Sequence, residues 1–152
     1  KLKINPDYKD NLDLIENLKN LTKQLNKVKI ENIKKDKNKN IIQDKKIGDV
    51  IIREQILKDF PSKELRSIID EGKKDIKSGI VVGISTFEDK VGLAVGVTKD
   101  LTSKYDAVGL VKAASVILGG KGGGGRKDFA QAGGVNKDKI TEAFKEISKK
   151  LS

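Results

Sequence analysis

Residues 79–97 read GIVVGISTFEDKVGLAVGV. Two nearly all-apolar runs, GIVVGIS (79–85) and VGLAVGV (91–97), flank the five residues Thr86 to Lys90, a length that suits a hairpin connection. Successive side chains of a strand point to opposite faces. A run that is apolar at nearly every position therefore needs cover on both faces. Upstream, Leu65, Ile68, Ile69, Gly72 and Ile76 share one face at helical spacing, behind Pro61-Ser62, with Ser62 as the expected N-cap. Before that, IGDVIIREQIL (47–57) holds the β-branched run Val50-Ile51-Ile52, consistent with a strand. Downstream, Ser103 with Asp106 three residues later has the form of a capping box. The helix it predicts turns Ala107, Leu110, Val111, Ala114, Ile117 and Leu118 inward and ends at Gly119-Gly120, where a left-handed C-cap is expected. A last helix is expected from near Asn136, with Ile140, Phe144, Ile147 and Leu151 on one face.

Further out, residues 9 to about 33 read as a helix. Leu14, Leu18, Leu21, Leu25 and Val28 fall at spacings of 4, 3, 4 and 3, a heptad seam flanked by Asn11 and Asn32. The seam can pack on its own domain, on a second copy or on another helix. Residues 34–46, KKDKNKNIIQDKK, read as a polar connector with one apolar pair, Ile41-Ile42. The predicted order is helix, strand, helix, strand, strand, helix, glycine loop, helix. It specifies an α/β domain (47–152) with a small mixed β-sheet covered by helices, preceded by a heptad-patterned helical segment and linker (1–46).

Composition narrows the chemistry. The 152 residues contain no Cys, which excludes disulfides and thiolate metal sites, and no His, the usual general base and commonest metal ligand. The longest apolar runs are too short to span a membrane, and the polar, lysine-rich N-terminus is unlike a signal peptide. Met is also absent and the chain begins with Lys1, as expected of a fragment. The net charge is +10, from 32 basic and 22 acidic residues. Contact with a polyanion and the Lys/Asn/Ile bias of an AT-rich genome both account for it. Its distribution says more: residues 1–46 carry 13 basic and 7 acidic residues (+6), residues 47–116 carry 11 and 11, and residues 117–152 carry 8 and 4 (+4). The last segment is basic where glycines cluster.

Residues 119–134 read GGKGGGGRKDFAQAGG and hold eight of the chain's 15 glycines. Without Cβ atoms, successive peptide N–H groups can converge on one point, forming a nest that binds anions such as phosphate. Lys121, Arg126 and Lys127 add positive charge, and Arg126 can fork onto two phosphate oxygens or stack on an unpaired base. Gln131 can bond a sugar or base edge, and Phe129 is expected to anchor the segment in the core. A plain flexible linker would be Gly/Ser-rich and featureless. The segment lacks the Gly-Lys-Ser/Thr ending of a P-loop, and it follows a helix, unlike a dinucleotide fingerprint.

This stretch closely resembles the C-terminal motif of alanine–tRNA ligases, commonly GGKGGGRPDMAQAGG. The departures are a fourth glycine before Arg126, Lys127 for Pro and Phe129 for Met. LRSIIDEGKKDIKSGIVVGIS (65–85) and KVGLAVGVTKDLTSKYDAVGLVKAAS (90–115) resemble the family as well. The resemblance covers residues 47–151 and implies a DHH-associated domain that holds the elbow of alanine-specific tRNA for the remainder of a cytoplasmic synthetase. Gly119, Gly120, Lys121, Gly122, Gly123, Gly124, Gly125, Arg126, Gln131, Gly133 and Gly134 are the contacts it implies, and Lys127 adds charge beside them. It implies no cofactor here; ATP, magnesium and zinc would serve other parts of the parent enzyme. The heptad seam, independently of the resemblance, suits a homodimer through the N-terminal helix. The same domain type occurs in DHH-family phosphoesterases, where it binds single-stranded nucleic acid, which is the alternative reading.

Overall fold

Central strands form where the apolar runs lie. In a computed structural model that describes residues 6–35 and 40–152, β3 (Ile80–Phe87) and β4 (Lys90–Val97) pair antiparallel, with Ile84 opposite Leu93 and Phe87 opposite Lys90. The hairpin turn is tighter than the five residues expected: only Glu88 and Asp89 connect the strands, and Glu88 adopts φ +52°. The strand expected around Val50-Ile51-Ile52 is β2 (Val50–Lys58), parallel to β3. Their crossover carries α2 (Leu65–Ile76). Six strands form one mixed sheet in the order β1 (Asn40–Ile47), β2, β3, β4, β6 (Phe129–Gly134), β5 (Gly123–Arg126).

Both faces of β3 and β4 are covered, as their composition requires. On one face Ile80, Val82 and Ile84 and their neighbours Val91, Leu93, Val95 and Val97 pack against α3 (Ala107–Ile117) and α4 (Ile140–Leu151). On the other face α2 lies directly on glycines of the sheet. A Cβ on Gly96 would sit 2.2 Å from Ile69 Cγ2, so glycine here sets how closely helix and sheet approach. The helix faces were legible: Leu65, Ile68, Ile69 and Gly72 of α2 are buried, as are Phe144, Ile147 and Leu151 of α4.

The caps differ from expectation. Ser62 does not cap α2; it begins a 3-10 turn, Ser62–Glu64, with no side-chain cap. Ser103 does not cap α3 either. Asp106 is itself the N-cap, its Oδ1 accepting from the Val108 N–H at 2.9 Å, so the helix starts three residues later than a Ser103 cap implies.

Two further corrections concern strands where loops were expected. From Asn40 onward the polar connector is β1 (Asn40–Ile47), antiparallel to β2; residues 36–39 of that connector lie outside the described residues. An edge strand tolerates charge on both faces and is protected by it, so no apolar alternation announces it. Side-chain pairs dock it instead. Arg53 forks onto Asp44 at 2.7 and 2.9 Å and reaches Asp75 of α2 at 3.1 Å, while Lys45 meets Glu54 at 2.8 Å. The Arg53 hydrogen bond holds the Asp44 carboxyl below its ordinary range. The second correction is the glycine segment, which is not a loop: it forms β5 (Gly123–Arg126) and β6 (Phe129–Gly134).

The chain divides into two compact units, residues 1–37 and 38–152. The first is α1 (Pro6–Lys35), the expected N-terminal helix. Its seam residues Leu14, Leu18, Leu21, Leu25 and Val28 are each 52–59% exposed.

Candidate nucleic-acid interface

The glycine-rich hairpin is placed by the helix before it. α3 ends in a Schellman motif: Gly119 has φ +74°, its N–H donates to Val116 O at 3.2 Å, and the Gly120 N–H donates to Ser115 O at 2.8 Å. This left-handed turn reverses the chain into β5, which pairs with β6, and β6 pairs with β4. The turn Lys127-Asp128 is tied back by its carbonyls, accepting from Ala107 N at 3.0 Å and from Val97 N at 2.9 Å.

The glycines fall into two groups. At Gly120, Gly123, Gly125 and Gly134 a Cβ would lie 2.0–2.5 Å from a backbone oxygen. The fold itself demands glycine there and at Gly119. Gly124 has nothing within 4 Å of a built Cβ, Gly133 only the Val91 carbonyl at 3.8 Å, and neither has positive φ. Gly122 is open but strained, at φ +104°. Packing therefore does not explain Gly124 and Gly133.

Opposed residues of an antiparallel pair share a face. Gly124 pairs with Gln131 and Arg126 with Phe129. The Phe129 ring is buried, as expected of a core anchor, under the Arg66 guanidinium of α2 at 5.4 Å. Hence Gly124, Arg126, Gln131 and Gly133 lie on the α2 side of the sheet. Gln131, Arg126 and both glycines are exposed there. Among the described residues Arg126 meets only a loose ion pair with Asp128, at 3.5 Å, and its side chain is 69% exposed.

The structure gathers the expected residues at two ends of this face. Gly119, Gly120, Lys121, Gly133 and Gly134 line a cleft of about 580 Å³. Arg126 and Lys127 lie at the far end of the hairpin, roughly 17 Å along β6 at about 3.3 Å per residue. Gly120, Lys121, Gly122, Gly123 and Gly124 also line a neighbouring concavity with Lys112 and Val116; on the α2 side the surface is an elongated, cationic strip whose floor is bare at Gly124 and Gly133 and carries Gln131 between them. Sequence reasoning missed Lys63, Ser85, Phe87 and Lys90, which line the same cleft. Phe87 carried the one available signal, an aromatic residue placed at a strand end beside charged turn residues.

The DHHA1 domain family matches residues 48–152. This chain belongs to that family. The DHHA1 domain is 48% identical over 101 residues to the alanine–tRNA ligase of Hyphomonas neptunium, a match covering 66% of this chain and 12% of the relative. With the alanine–tRNA ligase of Bradyrhizobium diazoefficiens it shares 47% over 110 residues, covering 71% and 12%. The chain thus spans about an eighth of the length of these curated relatives. Among solved structures, the C-Ala domain of Aquifex aeolicus alanyl-tRNA synthetase superposes with a TM-score of 0.68 at 32% identity, covering 72% of this chain and 98% of that one. A DHH-domain member of the s1p family of ribosomal proteins, 15% identical with a TM-score of 0.59, covers 97% of this chain and 35% of that one and shares the fold alone.

Proposed function

We propose that this DHHA1 domain is the tRNA-binding C-terminal part of an alanine–tRNA ligase, holding the elbow of alanine tRNA while other parts of a cytoplasmic parent enzyme aminoacylate and edit. The observation that carries this reading is the open strip along β5 and β6. It has cations at both ends, exposed Gln131 between them, and two glycines that the fold does not require. A nucleic acid backbone can approach such a floor closely, with phosphates positioned by Arg126, Lys127 and Lys121. The similarity to alanine–tRNA ligases and to a C-Ala domain supports tRNA as the ligand.

ATP, magnesium and zinc chemistry belongs to the parent's other parts in this reading. The chain offers neither His nor Cys, and among the described residues no group of three or more acidic side chains could hold a metal. No described helix is long and apolar enough to cross a membrane. The exposed leucine seam of α1 is proposed to pair with a second copy, or with a helix of the parent.

Arg126→Ala is expected to weaken binding of an alanine tRNA transcript about 10-fold, as for loss of a charged hydrogen bond. The salt slope should fall by about one unit, and the melting temperature should stay unchanged because the side chain is exposed. Fluorescence anisotropy across a salt series, with a thermal melt alongside, measures both. Wild-type affinity in the variant would remove Arg126 from the interface.

A further inference from the structure

We propose that the cleft at the Gly-Gly end of the hairpin takes one unstacked nucleobase of the bound RNA, with Phe87 as its stacking partner; this rests on the RNA-binding reading above and specifies how that site reads its ligand.

The chemistry of the lining carries the inference. Among the described residues Phe87 is an outlier for an aromatic ring: it is 43% exposed, whereas Phe60, Phe129 and Phe144 are buried. It is also held in place. Phe87 closes the β3–β4 hairpin opposite Lys90, and Lys137 clamps the turn by donating to the Glu88 carbonyl and facing Asp89 at 3.5 Å. A ring carried at the end of a paired strand starts from a defined backbone position, unlike one on a loop.

Lys63, Lys90 and Lys121 also line the cleft, and no carboxylate does. Five glycines, Gly92, Gly119, Gly120, Gly133 and Gly134, line it too, beside the apolar Val91 and Val135, so much of the lining leaves room for a flat ligand. Ser85 contributes a second, independent sign. It lines the cleft at 1% exposure, and its Oγ has no hydrogen-bond partner. Buried hydroxyls are normally satisfied. A partner brought by a ligand accounts for this one. A planar ring with polar edges, joined to phosphates, matches an aromatic platform, an orphan hydroxyl and a lysine rim together. A bare anion leaves the aromatic ring unexplained.

The chain has no Trp, so Phe87→Trp installs a single fluorescent reporter. Its emission should be quenched as alanine tRNA transcript saturates the full-length chain. Phe87→Ala should weaken tRNA binding roughly 5- to 150-fold, the range for losing one base stack, with the salt slope unchanged because no phosphate contact is lost. Phe87→Leu, which keeps apolar bulk and guards against misfolding, should weaken binding like Phe87→Ala. Ser85→Ala should cost a further few-fold. Unquenched Trp at saturation, or Phe87→Leu binding as tightly as wild type, overturns the base pocket while leaving the elbow reading intact. Equal quenching by unstructured single-stranded DNA supports the base pocket but contradicts tRNA selectivity. Failure of the wild-type chain to bind either nucleic acid overturns both.

Discussion

Gly120→Ala should destabilise the domain by about 3 kcal/mol, whereas Gly124→Ala should leave its stability within about 0.5 kcal/mol of wild type. The two residues sit four positions apart in the same glycine run, and a composition-based view treats them alike. Their surroundings differ. A Cβ on Gly120 would sit 2.0 Å from the Gly133 carbonyl oxygen and 3.1 Å from that of Ser115, inside the Schellman turn that aims β5. Neither oxygen can retreat: one belongs to the sheet and the other accepts the hydrogen bond of the turn. Relief requires shifting β6 from β4 or unwinding the end of α3. At Gly124 the Cβ enters open space with an ordinary φ, and alanine even favours the folded chain slightly through the unfolded state. If the open face binds RNA, Gly124→Ala should weaken that binding while its melt stays unchanged. Thermal denaturation of the two variants separates the cases. Equal melting temperatures would mean that Gly120 is not held as tightly as its contacts state.

The second large effect concerns β1. A chain truncated to begin at Ile47, where the sequence alone places the domain boundary, should be less stable than one beginning at residue 38 by on the order of 2–4 kcal/mol. Eight residue pairs join β1 to β2, from Asn40 opposite Leu57 to Ile47 opposite Val50, and each cross-strand pair contributes about 0.2–1 kcal/mol. The Arg53 fork onto Asp44 goes too. Removal leaves β2 as a long unpaired edge that bares Ile51 and Ile56, which favours association. Urea titration with light scattering should show a lower midpoint and concentration-dependent aggregation for the shorter chain. Coincident curves would show that β1 adds nothing to the domain.

What was legible follows from where each element lies. β3, β4 and the inner faces of α2, α3 and α4 were readable because burial imposes periodicity: all-apolar runs for strands covered twice, and i, i+3, i+4 patterns for helices packed once. β1 was not, because an edge strand with Asp44, Lys45 and Lys46 satisfies its charges by pairing across to Arg53 and Glu54, which local pattern does not reveal. β5 and β6 were missed for a different reason. Glycine has low strand propensity, and the strand state of GGGR and FAQAGG depends on register against β4 and on close backbone contacts. Ser103 reads as a cap from type and spacing alone, yet Asp106 sits where the backbone turns helical. For the candidate site, the motif GGKGGGGRKDFAQAGG marked the correct hairpin but not its division of labour. Which glycines serve the fold became visible only with the neighbours of each absent Cβ. The cleft residues Ser85, Phe87 and Lys90 lie 29 to 34 positions upstream of the motif and come to it through strand order alone.

Elbow binding is tested most directly by anisotropy of labelled alanine tRNA transcript bound to this chain across a salt series, with unstructured single-stranded DNA as competitor. Elbow binding predicts that tRNA outcompetes the DNA, with log affinity falling against log salt at a slope of several units, as for several neutralised phosphates. Equal competition by the DNA, or no binding of either at low salt, would contradict it.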